Sequence, residues 1–399
     1  MLTSFVKILS LAFLLIQTPQ VSAALDFEAV FNEPGLQGAA TTTIEDRFLQ
    51  LLDKAIPGSE VLLNIYGLRM PNIAKALVKA QARGVSIGII LREFDDQNSA
   101  DSLAILKQGT EGLPAIGKCS FGDCLKVCGF GCSAPAFNHN KFMLFSELSD
   151  GTKDVSIHTS NNFWPTERNN FNDFLIIKNN KDLFQSLKKY WLTLRQGHKN
   201  PKLPLTIAKN IDLHTFPQRF IRPFSPVKAL LKSIKCIPGS TVHLAISRFT
   251  DPRAELADDL MDLSKAGCDV KVMIKNDVGL EKVGPISVVG DSPGKKVITK
   301  LGHLLYLFPY EEGQNGRPHQ EGDPIQNALH SKIILINAPI GNSSVPVKMV
   351  VVGTHNLDVP SLKLNNEILL QIQDEKLFNA YNVSVQRLLK NFIELYPRK

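Results

Sequence analysis

The residues of this chain best equipped to do chemistry come in two matched sets. Asn138-His139-Asn140-Lys141 runs into the apolar Phe142-Met143-Leu144-Phe145, and Leu329-His330-Ser331-Lys332 runs into Ile333-Ile334-Leu335-Ile336. Both read as the start of a buried strand. Side chains two apart on a strand share a face, so each His and Lys pair projects together, about 7 Å apart at the base. Downstream of each pair stands a second matched element, Thr159-Ser160-Asn161-Asn162 in one case and Gly353-Thr354-His355-Asn356 in the other. Eleven residues beyond Asn162 and Asn356 come the carboxylates Asp173 and Glu367, each followed by a further apolar run.

An imidazole, an ammonium, a carboxamide and a carboxylate, each supplied twice, suit the cleavage of a phosphodiester. One neutral imidazole, from His139 or His330, attacks phosphorus to give a phosphohistidine, and the other, protonated, donates to the leaving oxygen; water then reverses the roles. Lys141, Lys332, Asn162 and Asn356 would hold the non-bridging oxygens and offset developing charge. Asp173 and Glu367 would each accept from one ring nitrogen and so fix the tautomer. The scheme calls for no metal and no other cofactor. Taken singly each element is weak, since a lone His-x-Lys arises often by chance and Asn-Asp is commonly a turn. The weight lies in two copies in the same order.

Two copies of a site half require two copies of the elements that position them. Leu51-Leu52 followed by Ile56-Pro57-Gly58-Ser59-x-Val61-x-Leu63 returns as Leu230-Leu231 followed by Ile237-Pro238-Gly239-Ser240-x-Val242-x-Leu244, at an offset near 180 residues. Each copy continues with a helical stretch ending in glycine (Ala74 to Gly84, Ala254 to Gly267) and then an apolar strand (Val85 to Leu91, Val270 to Ile274). Strands alternating with amphipathic helices predict an α/β fold, as two sheets covered by helices and packed side by side. The stretch from Pro201 to Pro226 reads as the connection between them.

With the duplicated His-x-Lys, the Gly-Ser-x-Asn-like elements and the downstream acids in hand, the sequence resembles the phospholipase D superfamily over nearly the whole mature chain. That resemblance implies two α/β/α sandwich repeats about a pseudo-twofold axis, residues 24–205 and 206–399, with both His-x-Lys motifs at the interface. It implies cleavage of phospholipids, nucleic acids or related phosphodiesters, and it makes His139 the expected nucleophile. Two departures stand out. The family's fuller motif has Asp five residues after the Lys, where this chain has Ser146 and Asn337; that position faces away from the pair, so it is expected to brace the strand. Thr159 stands where the second copy has Gly353, which is expected to alter how closely the backbone approaches phosphate. His355, inside the second element, is expected to be structural.

The N-terminus is set aside from the fold: Lys7, the apolar run Ile8 to Ile16 and the small residues Val21-Ser22-Ala23 read as a cleaved export signal over residues 1–23, too short for a membrane span. This places the protein outside the cell or in the periplasm. There, the crowded Cys119, Cys124, Cys128 and Cys132 are expected to staple a loop rather than bind zinc, and Cys236 is placed to pair with Cys268. The irregular segments Cys119 to Cys132 and Glu311 to Asn327 precede the two His-x-Lys pairs and are candidate substrate walls. Phe163 and Trp164 follow Asn162, placed to stack on substrate or to fill the core. A net charge of +7 favours anionic partners. The leading expectation is an exported enzyme that hydrolyses or transfers phospholipid headgroups, with contact to a membrane surface; a nuclease and a catalytically silent phosphate or lipid binder are the alternatives.

Overall fold

The computed structural model describes residues 25–34, 40–92, 94, 96–119, 122–129, 131–197, 206–208, 210–217, 225–276, 292–309 and 328–395. Residues 1–23, expected to be an export signal, and the segment Glu311 to Asn327 lie outside these.

The first half contributes β1 (Phe27–Asn32), β2 (Glu60–Ile65), β3 (Ser86–Arg92), the short ribbon β4 (Lys118–Cys119) and β5 (Gly122–Asp123), β6 (Leu125–Cys128), β7 (Lys141–Glu147), β8 (Lys153–Thr159) and β9 (Asn170–Ile177). The second contributes β10 (Thr206–Ala208), β11 (Ile211–Phe216), β12 (Thr241–Ile246), β13 (Asp269–Asn276), β14 (Leu305–Pro309), β15 (Ala328–Leu329), β16 (Lys332–Ala338), β17 (Val347–Gly353) and β18 (Glu367–Gln373). The first sheet runs β1-β9-β8-β7-β2-β3-β6 and the second β10-β11-β18-β17-β16-β12-β13-β14. Apart from β10 and from β15, which joins the first sheet in parallel with β9, the orders superpose strand for strand, and in both the far edge (β2-β3-β6, β12-β13-β14) is parallel. The stretch expected to be a mere connection carries β10 and β11, and β11 fills in the second sheet the place of β1 in the first.

The helices α1 (Thr43–Lys54), α2 (Pro71–Ala82) and α3 (Gln97–Gln108) cover the outer face of the first sheet, and α5 (Pro226–Ser233), α6 (Glu255–Lys265) and α7 (Lys295–Leu301) that of the second. Between the sheets lie α4 (Lys181–Gln196) and α9 (Glu375–Leu395), and a single buried core draws side chains from both halves. Helix α9 packs on β16 and β17 of its own sheet and on β1 of the other. Burial of Trp191, Tyr190 and Tyr381 in that layer, each worth a few kcal/mol of transfer free energy, fixes one half against the other.

The repeated Ile-Pro-Gly-Ser quartets are matched tight turns: Ser59 N–H donates to Ile56 O and Ser240 N–H to Ile237 O, with Gly58 and Gly239 at φ +83° and +87°. A side chain would be strained there. The disulfides Cys128–Cys132 and Cys236–Cys268 bear out the expected pairing of the second set and close one turn of the first. The side chain of Cys119 lies outside the described residues.

Candidate active site

Both His-x-Lys motifs sit where β7 and β16 begin, and each is held by the opposite half. His139 N–H donates to Asn366 O at 2.9 Å, and His330 N–H donates to Phe171 O at 3.0 Å. Asn138 bridges to Asn366, and β15, just ahead of His330, pairs in parallel with Asn170 and Phe171 of β9. The pseudo-twofold axis therefore passes between the motifs, and each histidine lies beside the strand that carries the other half's acid.

The lysines behave as a pair. Lys141 Nζ donates to His139 O at 2.9 Å and Lys332 Nζ to His330 O at 2.7 Å. Burial, then Lys332, brings Lys141 down to about 7, and burial brings Lys332 down to about 8. Burial, then both lysines, pulls His139 well below its ordinary value. Burial takes His330 to about 4, Glu167 opposing and both lysines assisting. Each ammonium thus acts on both imidazoles, and the backbone bonds across the seam bring the two motifs to the same interface. The lysine side chains are buried, whereas His139 and His330 keep 14% and 18% of their side-chain surface, so the rings are the part of this group that a substrate can reach.

The acids differ between halves. His139 Nδ1 lies 2.9 Å from both oxygens of Glu367, whose Oε1 also accepts from Asn365 Nδ2 at 3.1 Å. Burial pushes the Glu367 carboxyl above the usual carboxylate range. This is the orienting contact expected of Glu367.

The same expectation for Asp173 is corrected. His330 Nδ1 is held instead by Asn172 Oδ1 at 3.1 Å and Glu167 Oε2 at 3.2 Å. Asp173 accepts from Tyr381 of α9 at 3.2 Å and lies 3.6 Å from His158, on the other face of β9. The reason is a one-residue offset. Thr159 faces Phe174 whereas Gly353 faces Leu369, so the first-half connection is one residue shorter and Asn172, not Asp173, occupies the position of Glu367. A shift of one residue along a strand reverses the face.

Glu167 was not singled out by sequence, because it stands on a 3-10 turn (Pro165–Asn169) with no counterpart in the second half's pattern. It is 3% exposed and gathers the Nδ2 groups of Asn162, Asn170 (3.0 Å) and Asn172 (2.8 Å). Burial works to raise its pKa, but His330 and these amides outweigh burial and hold it well below the usual range.

Asn162 and Asn356 are buried beside the crevice; Asn356 N–H donates to Ser361 Oγ at 3.2 Å. Ser146 Oγ accepts from Glu60 N–H at 2.8 Å, the bracing role expected, and Asn337 faces Thr241 at the far end of β16. Gly353 serves strand packing rather than phosphate approach: a Cβ there would lie 2.4 Å from Ile368 O. His355 is buried with its ring 4.4 Å from Phe216. Phe163 fills the core against Phe48, while Trp164 joins the rim.

That rim belongs to the first half. Tyr66 meets the His139 ring edge-on at 4.7 Å and neighbours Phe94 and Trp164. The Arg69 guanidinium lies 4.0 Å over Trp164, and that of Arg92 lies 4.0 Å over Phe137 while donating to Tyr66 Oη at 2.7 Å.

Residues 230–389 match the family described as cardiolipin synthase, phospholipase D-like domain. That match lies within the second half of the chain. Over the whole chain the likeness is to solved structures, at the level of the α/β fold. Among solved structures it is similar to phosphatidylserine synthase from Haemophilus influenzae Rd KW20, at 10% identity and TM-score 0.56 over 91% of this chain and 88% of that one. It is also similar to polyphosphate kinase from Porphyromonas gingivalis, at 11% identity and TM-score 0.55 over 90% of this chain, which spans half the length of that kinase. A further match is the phospholipase D family member Nuc from Salmonella typhimurium, at 17% identity and TM-score 0.29 over 45% of this chain and 94% of that one. No curated protein sequence matches.

Proposed function

We propose that this protein is an exported phosphodiesterase that releases or transfers phospholipid headgroups through a phosphohistidine. One observation carries the reading: two imidazoles, each docked by its backbone N–H on a strand of the opposite half and each held by a carboxyl of that half, lie under the influence of the same two buried ammonium groups. While both lysines are charged they outnumber the one anionic carboxylate, Glu167, and a phosphodiester monoanion supplies the missing charge. His139 attacks, because burial and the lysines keep it neutral and its partner Glu367 is pushed toward the neutral acid. His330 protonates the leaving oxygen, because the anionic Glu167 beside it stabilises the imidazolium once substrate is bound. The lysines, with Asn162 and Asn356, take the non-bridging oxygens. These roles need no metal.

The lipid substrate is supported by the domain description over residues 230–389 and by the likeness to a phosphatidylserine synthase. Among the described residues no helix is long and apolar enough to cross a membrane. A nucleic-acid substrate is a second reading, favoured by the rim of Arg69, Arg92, Tyr66, Phe94 and Trp164, since guanidinium and aromatic groups together bind single strands.

The test incubates the mature protein with phosphatidylcholine vesicles and, separately, with plasmid DNA, both in EDTA, beside His139→Ala and His330→Ala. Histidine-dependent headgroup release is expected. DNA cleavage alone would establish the second reading, and loss of all activity in EDTA would overturn the mechanism.

A further inference from the structure

We propose that Glu167 is the positioning residue of the acid half of the site, a single carboxylate that sets both the ring of His330 and the side-chain amide of Asn162. The inference deepens the reading above and rests on it for the roles of those two groups. The geometry itself is independent of that reading.

In the second half the strand position facing the histidine holds Glu367, and the contact is direct. In the first half that position holds Asn172, an amide that cannot carry charge. Asn172 instead bridges: its Oδ1 receives Ser160 Oγ–H at 2.9 Å and the His330 ring N–H at 3.1 Å, while its Nδ2 donates to Glu167 at 2.8 Å. The carboxylate arrives from the 3-10 turn and also touches His330 Nδ1 at 3.2 Å. An acceptor on both sides of Nδ1 leaves one tautomer, Nδ1–H, with Nε2 free for chemistry. Its other oxygen accepts from Asn162 Nδ2, which fixes the way that amide faces.

The two halves are therefore wired differently. Glu367 holds His139 and Asn365, whereas Asn356 is held through its backbone by Ser361. Glu167 holds a histidine of the second half and a phosphate-side asparagine of the first at once. Removing the Glu167 carboxylate disturbs two site members; removing the Glu367 carboxyl disturbs one.

A change that keeps the volume and removes the charge, Glu167→Gln, also presents an amide to three amide donors. The change Asn172→Glu places a carboxylate on the strand where the second half has one, with Asn170 standing to it as Asn365 stands to Glu367. The double variant should thus rebuild in the first half the arrangement seen in the second, with the introduced glutamine amide now donating to the introduced strand carboxylate.

The experiment compares wild type, Glu167→Gln and Glu167→Gln/Asn172→Glu in the full mature chain. It reads the ring ¹⁵N shifts of His330 at neutral pH, assigned with His330→Gln, and turnover of bis(p-nitrophenyl) phosphate. We expect one Nδ1–H tautomer in wild type, a mixture in the single variant and one again in the double. Turnover should fall about 100-fold in the single variant and regain at least tenfold in the double. Unchanged tautomer and turnover in Glu167→Gln would overturn the proposal. So would a loss that the double variant fails to reverse, including one caused by misfolding of the single variant, because a merely structural glutamate would not be replaced from position 172. Wild type with the expected tautomer series and no histidine-dependent turnover would instead overturn the phosphodiesterase reading and leave the positioning role standing.

Discussion

The two halves of the site agree at phosphorus and part company around it. Lys141 and Lys332 make the same bond to the carbonyl of their own histidine, and His139 and His330 make the same bond across the seam. Away from that centre, Tyr66 at the end of β2 stands where Ser247 follows β12, and Arg92 stands where β13 has Lys275. The difference has a chemical sense. In the second step His139 leaves phosphorus and His330 turns from acid to base, so the phosphoryl oxygens meet the same lysines in both steps and a symmetric set serves both. The two substituents on phosphorus are different molecules, so the walls that meet them have no reason to match.

The severest break of that symmetry is to remove either imidazole. His139→Ala and His330→Ala should each lower kcat by about 10⁴-fold or more, and the double variant should be no worse than either single one, as expected of groups that act as a unit. Steady-state rates on bis(p-nitrophenyl) phosphate decide this. Retention of a tenth of the turnover by either variant would show that the halves are not equivalent at phosphorus.

The shared ammonium charge gives the next effect. A lysine lowered to about 7 or about 8 is charged below that pH and neutral above it. The free enzyme should lose affinity for an anionic substrate as pH rises, and kcat/KM should fall at least tenfold between pH 7 and pH 9. Two ordinary lysines would place that fall near pH 10. Lys141→Arg, charged throughout, should move the limb upward even though its planar fork lowers the absolute rate.

Smaller, and confined to stability, is the contrast between Gly353 and Thr159 at matched places. Gly353→Ala forces a Cβ to 2.4 Å from a strand carbonyl and should cost about 2 kcal/mol in urea unfolding. Thr159→Ala removes the hydroxyl bonds to Asp173 O and Asn161 N–H and should cost about 1 kcal/mol.

Much of this was legible in the residues, and the failures have a common cause. The Ile-Pro-Gly-Ser quartets disclosed the duplication because a positive-φ glycine in a tight turn leaves a spelling behind. His139, Lys141, His330, Lys332 and Glu367 were legible because a strand start and its alternation fix where they face. Asp173 was misassigned because equal spacing was taken for equal structure, and a connection shorter by one residue reverses a face without altering the pattern of residue types. Glu167 was invisible for the complementary reason, since it reaches the site from an irregular turn whose geometry no periodicity encodes. Strands β10 and β11 were missed because prolines nearby made their segment read as a connection.

The reassignment of Asp173 yields the smallest effect on catalysis and the sharpest sign. If Asp173 oriented His330, Asp173→Asn would cost turnover as Glu167→Gln should; since it lies behind the strand, kcat should stay within about threefold. Its influence belongs to folding. Burial raises this carboxyl to about 6, above its unfolded value, so the native state prefers it protonated and its contribution to stability is lost as pH rises from about 4 through 6. Asparagine carries no such titration and can still accept from Tyr381. The melting temperature of Asp173→Asn, relative to wild type, should therefore rise between pH 4 and pH 7. A difference that stays flat across that interval, or a variant that gains nothing by pH 7 and turns over a hundredfold more slowly, would return Asp173 to the site.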